Sequence, residues 1–275
     1  MADPINLSSS VRTNLLTLQR TSGFIADTQT RLSTGLRVNT ALDDAAAFFT
    51  AKGLSDTATD FDALKSNIDL AISTIQTAID GIDAISELVN QAKGLASNAK
   101  ATGNTSERST LAVQFNELLS QINTIANDSS FNGTNLLQAT PDNLAVEFNT
   151  DNTSNLTITG LDSTTATSGI NIAVAANNFG LNANIDTALT AISSALTTLR
   201  SNASTMGSRN TILSTRLDFT DNLVNTLEGG TGKLTLADLN EESANLLALQ
   251  TRQQLGINSL ALAAQSERSI LALFG

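Results

Sequence analysis

The fold is decided by residues 11–32, which read VRTNLLTLQRTSGFIADTQTRL, and by a matching run near the other end, residues 239–271. In both runs apolar residues recur at alternating spacings of about four and three, which places them along one side of an α-helix. Such an apolar stripe needs a partner helix to cover it. The residues predicted to form an assembly interface are Val11, Leu15, Leu18, Ile25, Leu32, Leu246, Ile257, Leu260, Ala264 and Leu271.

Two arrangements satisfy these stripes. The terminal helices either pair with each other inside one closed subunit or pack against helices of neighbouring copies. Both runs also carry apolar residues outside the stripe, such as Leu16 and Phe24 in the first and Leu247, Leu255 and Leu262 in the second. A helix that is apolar on most of its sides is buried by several neighbours. The pattern therefore favours contacts with additional copies of the chain.

The composition favours long helices and excludes several classes of protein. The 275 residues are 41% hydrophobic but only 4% aromatic, which suits packing through aliphatic side chains. The net charge of −11 argues against a nucleic-acid partner, because phosphates are bound by clustered Lys and Arg. The sequence has no Cys and no His, which removes disulfides and thiolate or imidazole chemistry. We expect no enzymatic activity, no catalytic residue, no cofactor and no metal site.

Helical periodicity extends through most of the chain. It predicts helices over residues 5–35 and 45–101, around residues 111–125, over residues 185–227, and over residues 236–273. The run 185–227 follows heptad spacing most regularly, which is typical of a long helix in a coiled coil.

Two breaks are predicted to be hinges. The first contains Gly35, which fits a helix end, followed by an acidic pair that suits the start of the next helix. The second is the glycine cluster 229–232, which is expected to end the heptad helix. The predicted hinge and signature residues are Gly35, Arg37, Asn39, Asp43, Asp44, Gly229, Gly230 and Gly232.

The middle of the chain differs in character from the rest. In residues 144–148, 156–158 and 170–174, apolar residues alternate with polar ones, which is typical of short strands. The predicted fold is therefore mainly α. It is an elongated antiparallel helical rod or coiled coil with a small β-hairpin region in the middle of the chain.

Three motifs resemble those of the bacterial flagellins, the subunits of the flagellar filament. Residues 30–46, TRLSTGLRVNTALDDAA, resemble the family's N-terminal signature. Residues 244–256, ANLLALQTRQQLG, and the closing Leu273-Phe274-Gly275 resemble its C-terminal signature. Residues 131–134, FNGT, resemble the turn after the family's second core helix.

The resemblance implies a structural subunit that polymerises into the filament for motility. It implies an inner coiled-coil layer from residues 1–42 and 233–275, a helical rod from residues 43–141 and 179–232, and a short variable region at 142–178. The implied partners are copies of the chain itself, a flagellar export chaperone, and cap and junction proteins, with no nucleic acid and no membrane. The implied location is the extracellular filament, reached by type III export without a cleaved signal peptide.

Two alternatives stay open on the sequence. A flagellar hook–filament junction protein has similar ends but does not extend without limit. A secreted helical effector of a different class would bind membranes through its amphipathic ends. In addition, some flagellins activate an innate immune receptor through an Arg-rich patch, and the corresponding residues 86–93 contain no Arg. We therefore predict weak or no activation of that receptor.

Overall fold

The computed structural model describes residues 9–274, with side chains described through residue 269 except Glu267. The first residues of the predicted N-terminal helix and the side chain of Leu271 lie outside this part. Within it the chain is mainly helical, as predicted. The α-helices are α1 (Ser9–Thr34), α2 (Ala45–Ala101), α3 (Thr105–Asp128), α4 (Asn182–Thr235) and α5 (Leu239–Phe274).

The chain divides into two compact units. The terminal unit consists of Met1–Thr57 and Thr226–Gly275, and it contains α1, α5, the first turns of α2 and the last turns of α4. The central unit, Ala58–Asn225, contains the rest of α2 and α4 together with α3 and the strands. Each unit thus combines segments that are far apart in sequence.

Helices α2, α3 and α4 enclose the apolar core of the central unit. Isoleucines along one side of α2, among them Ile68, Ile75 and Ile82, are almost completely buried. They share one cluster with Phe115 of α3 and Leu199 of α4. Isoleucine is a weaker helix former than leucine, so these helices are stabilised by packing more than by intrinsic propensity.

Ion pairs near both ends of the central unit show that α2 and α4 run antiparallel. Lys65 of α2 pairs with Asp221 of α4, and Lys100 pairs with Asp186 at 2.6 Å. These side chains are largely exposed to solvent, where screening weakens ion pairs, so each pair contributes little to stability. The direction is therefore set by the core, and the ion pairs are compatible with it.

A tight hairpin follows α3. Strand β1 (Ser130–Phe131) pairs with β2 (Thr134–Asn135). The turn residues Asn132 and Gly133 both have positive φ, at 49° and 80°. A two-residue hairpin turn of type I′ requires positive φ at both central residues, and Asn-Gly adopts such values readily.

A second hairpin confirms the predicted β region in the middle of the chain. Strand β3 (Asn143–Glu147) pairs antiparallel with β4 (Asn155–Thr159). Val146 and Ile158 are buried in the core of the central unit, whereas their neighbours along each strand are more exposed. The alternation of apolar and polar residues thus corresponds to one buried and one solvated face.

The strand predicted at residues 170–174 was wrong. Ile170 and Ile172 are buried, but their N–H groups donate to the carbonyl oxygens of Thr164 and Thr165, at 2.8 and 3.1 Å, within the same loop. Asn171 has a φ of 51°, a left-handed value that interrupts a strand. The alternation of apolar and polar residues indicates which side chains are buried. A strand also needs a partner strand, which the alternation does not predict.

The helix end predicted at the glycine cluster was also wrong. Helix α4 continues through Gly229, Gly230 and Gly232 to Thr235. None of these glycines has the positive φ of a helix-ending turn. A β-carbon on Gly230 would lie 3.3 Å from Leu54 of α2, so the helices approach closely there. Gly230 therefore leaves room for Leu54 beside a helix that continues unbroken.

Candidate assembly interface

Helices α1 and α5 pack against each other in the terminal unit. Val11, Thr21 and Thr28 form the buried side of α1. On the facing helix, a β-carbon on Gly256 would lie 2.9 Å from Cδ1 of Leu18. Small and β-branched residues at the contact therefore allow the two helices to approach closely.

An ion pair joins the last turn of α1 to the first turn of α5. Nη1 of Arg31 lies 3.2 Å from Oε1 of Glu242, and Glu242 is buried. A cation at the C-terminal end of a helix and an anion at the N-terminal end of another both interact favourably with the helix dipoles. Removing either partner would leave the other charge uncompensated, which is costly for the buried Glu242.

The predicted interface residues divide into two groups. Those buried or partly buried within the subunit are Val11, Leu18, Ile25, Leu32, Leu246, Leu260 and Ala264. Leu15 and Ile257 are exposed, and Leu271 lies outside the described side chains. Pairing of the terminal helices within one subunit, one of the two arrangements open on the sequence, thus covers much of the predicted stripe.

Large apolar side chains remain exposed on both helices after this pairing. Phe24 of α1 is 58% exposed, and Leu247, Leu255 and Leu262 of α5 are 67%, 63% and 73% exposed. These are the residues outside the stripe that favoured contacts with further copies. Both helices therefore retain apolar surface that the subunit itself does not cover.

The segment after α1 connects it to the end of α4. Gly35 has a φ of 71°, and its N–H donates to the carbonyl oxygen of Arg31 at 2.8 Å, which ends α1. The N–H of Arg37 donates to the carbonyl oxygen of Thr235 at 2.7 Å. The guanidinium of Arg37 donates to the carbonyl oxygen of Leu234 at 3.1 Å. Arg37 therefore satisfies carbonyl groups that the last turn of α4 leaves unpaired.

The acidic pair organises the start of α2. Oδ2 of Asp43 accepts bonds from the N–H groups of Asn39 and Thr40, at 3.1 and 2.8 Å, and from the Thr40 hydroxyl. The backbone bond from Thr40, then that from Asn39, holds the pKa of the Asp43 carboxyl below its ordinary value. Oδ1 of Asp44 accepts the N–H of Ala47 at 3.0 Å and caps α2. Both carboxylates thus bind backbone groups.

Sequence reasoning missed two residues of this region, Val38 and Glu242. Val38 is 3% exposed, and its N–H donates to the carbonyl oxygen of Thr235 at 3.2 Å. Val38 is apolar and stands between Arg37 and Asn39, and this apolar character could have indicated that Val38 is buried. Glu242 gave no signal, because a glutamate in a first helical turn is ordinarily exposed.

Neither a membrane span nor a metal-ligand cluster occurs in the described part of the chain. No helix there is both long enough and apolar enough to cross a bilayer. No three acidic side chains there come together as a set of metal ligands.

Comparisons of the sequence with known proteins cover most of the chain. Residues 5–142 match the bacterial flagellin N-terminal helical region, and residues 189–274 match the bacterial flagellin C-terminal helical region. The chain is similar to flagellin FljM of Caulobacter vibrioides, at 35% identity over 98% of each chain. It is similar to a flagellin of Brucella melitensis, at 31% identity over 97% of each chain. A solved flagellin from Bacillus cereus is 21% identical with a TM-score of 0.49, covering 56% of this chain and 88% of that one.

The two matched regions contain the paired terminal helices and the helical core of the central unit. The signature residues among them make the contacts that join α1, α2 and α4 in the terminal unit. The chain therefore belongs to the bacterial flagellins, structural and non-enzymatic proteins that polymerise with themselves into the extracellular filament of the flagellum.

Proposed function

We propose that the terminal unit is the assembly surface of this flagellin, and that neighbouring copies bury Phe24, Leu247, Leu255 and Leu262. The proposal is supported by one observation, the exposure of these side chains after α1 and α5 have paired. Burying a Leu or Phe side chain contributes about 1.5–3 kcal/mol. Several such residues per subunit would supply most of the favourable association free energy, which the ordering of the partners reduces.

The proposed layers of the filament rest on the resemblance to the flagellins. Residues 1–42 and 233–275 would form the inner coiled-coil layer, residues 43–141 and 179–232 the rod, and residues 142–178 a short variable region. Each contact would join different surfaces of neighbouring subunits. Contacts of this kind do not close, so growth continues indefinitely.

Leu262→Asp tests the proposed surface. Leu262 is exposed in the subunit, so the substitution leaves the α1–α5 pairing intact. In the filament it would bury an unpaired carboxylate, which costs several kcal/mol. We expect elongation from filament seeds, followed by light scattering and electron microscopy, to slow by about tenfold or more.

Gln250→Asp is the matched control, because it adds the same charge at an exposed polar position of the same helix, about 120° around the helix from Leu262. We expect its elongation rate to stay within about twofold of the unmodified chain. Filaments of normal length and growth rate from Leu262→Asp would contradict the proposed surface.

We further propose that the chain follows the family's route of type III export, with an export chaperone, cap and junction proteins as partners and without signal-peptide cleavage. Membership of the family supports this route. The intact mass of subunits taken from filaments is expected to equal that of the 275-residue chain, with or without Met1. A mass lower by a signal peptide of about 15–30 residues would contradict it.

A junction protein is the less well supported alternative. The two relatives described above, each matching almost the whole chain, are named flagellins. Seeded growth separates the two functions, because a junction protein adds a limited layer and a filament subunit continues to add.

A further inference from the structure

A groove of about 610 Å³ runs between α2 and α3 at the surface of the central unit. Leu95 of α2 and Leu118 of α3, both partly buried, supply its apolar lining. Gly94 leaves a gap beside them, because no neighbouring atom lies within 4 Å of the position that a β-carbon there would take. This α2–α3 groove has room for side chains that the subunit itself does not supply.

An apolar ridge on α4 matches the groove in length. Ile212 and Phe219 are 40% and 59% exposed, and a separation of seven residues places them on the same side of the helix. No other two large exposed apolar side chains of the described central unit share a helix at that spacing. Seven residues of helix span about 10 Å, and the same number separates Gln91 from Asn98 in the groove.

The α4 ridge and the α2–α3 groove carry opposite charges. Arg216 lies between Ile212 and Phe219 in sequence, and Arg209 precedes Ile212 by about one turn. Glu117 lines the groove. Within the described chain, none of these three charged side chains belongs to an ion pair. Complementary charges of this kind steer two surfaces together and fix their register.

Neighbouring charges of the same subunit do not neutralise either surface. Asp218 follows Arg216 by two residues, which places it about 200° around the helix. Asp221 is paired with Lys65 of α2. Lys93, the residue before Gly94, is not among those that line the groove. The ridge therefore presents positive charge to a partner, and the groove presents negative charge.

We propose that the α4 ridge of one copy occupies the α2–α3 groove of a second copy. The inference rests on the self-polymerisation of the chain, and it adds a contact in the central unit to the surface proposed for the terminal unit. In two parallel copies α4 runs in the same direction as α3 of its neighbour. Placing the middle of the ridge at the middle of the groove then brings Arg216 beside Glu117.

The ridge and the groove lie at different heights of the central unit, so the contact propagates. The two ion pairs between α2 and α4 align these helices so that Arg216 is level with Leu70. Gly94 is 24 residues further along α2, which corresponds to about 36 Å. Parallel copies would be displaced by that length. Each added copy would leave one ridge or one groove free for the next.

Symmetric pairings of the same surfaces fit less well. Two ridges would bring Arg216 of each copy together, and two grooves would bring Glu117 of each copy together. Like charges that face each other across an interface are unfavourable. Both arrangements are also two-fold symmetric and close at a dimer.

Exchange of the proposed charge pair in the full-length chain tests the contact. We expect Arg216→Glu and Glu117→Arg each to slow elongation from seeds of the same variant by about tenfold, because like charges then face each other. The double variant restores opposite charges and is expected to grow within about threefold of the unmodified chain.

Circular dichroism shows whether each variant is folded. This control is needed because the guanidinium of Arg216 also lies over the ring of Phe148, 4.9 Å from its centroid. Single variants that grow at the unmodified rate would overturn the proposal. A folded double variant that grows as slowly as the single variants would also overturn it.

Gly94→Leu tests the groove without changing a charge. Leucine fills the gap in the groove, and a helix accepts leucine more readily than glycine. We expect elongation to slow by about tenfold, because the ridge no longer fits. Gly94→Ala is the matched control, since it leaves most of the groove open and is expected to stay within about twofold. Normal growth of Gly94→Leu would overturn the proposal.

These outcomes are separate from those that test the terminal unit. Normal growth of Leu262→Asp would contradict the surface proposed there and leave the charge exchange in the central unit unaffected. Failure of the double variant to recover would overturn only the contact between ridge and groove.

Discussion

Asp43 shows how one side chain organises the segment that enters α2. Its carboxylate accepts the N–H groups of Asn39 and Thr40, and these bonds keep its pKa below the ordinary value. A carboxyl whose pKa is lower in the folded chain than in the unfolded chain stabilises the fold above the unfolded pKa. Its contribution disappears as the pH falls through the folded pKa.

Asp43→Ala tests this contribution. We expect the variant to have a lower melting temperature than the unmodified chain at pH 7, because the bonds to Asn39 and Thr40 are lost. The difference is expected to shrink as the pH falls below about 4, where the carboxyl of the unmodified chain becomes protonated. Thermal unfolding of assembled filaments, followed by circular dichroism at several pH values, measures it. A difference that is the same at pH 7 and at pH 2 would contradict this role.

At the scale of elements, helix α4 shows that a glycine cluster is not by itself a helix end. Gly35 ends α1 because it adopts a positive φ and its N–H bonds to Arg31. The glycines of cluster 229–232 lack that geometry, and α4 continues to Thr235. Composition alone does not separate these cases, because glycine is compatible with both conformations.

Gly229→Ala tests whether this stretch works as a continuous helix. No atom lies within 4 Å of the position a β-carbon would take, so alanine fits. We expect the variant to raise the free energy of unfolding by about 0.5–1 kcal/mol, since alanine loses less backbone entropy than glycine in a helix. Urea unfolding measures the change, and filament growth is expected to be unaffected. Strongly impaired growth would indicate that flexibility at Gly229 is required.

At the scale of the whole molecule, we expect the terminal unit to bury less apolar surface in the free subunit than in a polymer. α1 and α5 cover one side of each other, and their other sides expose Phe24, Leu247, Leu255 and Leu262. A helix pair with so much uncovered apolar surface gains little to offset the entropy lost on ordering. Neighbouring copies would supply the missing burial.

Limited proteolysis tests this difference between the free and assembled states. We expect free subunits to be cleaved within residues 1–42 and 233–275 while the central unit resists. Filaments at the same protease ratio are expected to keep both ends. Mass spectrometry of the fragments identifies the cleavage sites. Terminal segments that resist cleavage equally in both states would show that assembly does not stabilise them.

The sequence by itself determined the helices, the position of the small β region and the family. These features depend on local periodicity, on turn residues such as Asn132-Gly133, and on long motifs at both ends, all of which can be read along the chain. The sequence also indicated the turns at Gly35 and Asp44, because these residues form hydrogen bonds with backbone groups only a few residues away.

Only the tertiary structure decided which apolar residues face each other and which remain exposed. Val11 is buried and Leu15 is exposed although both lie on the predicted stripe, because burial depends on where α5 lies. The loop at 170–174 was decided by bonds within the loop together with burial of Ile170 and Ile172 in the core of the central unit. Periodicity marks a side of a helix or strand, whereas the partner that covers that side is set by long-range packing.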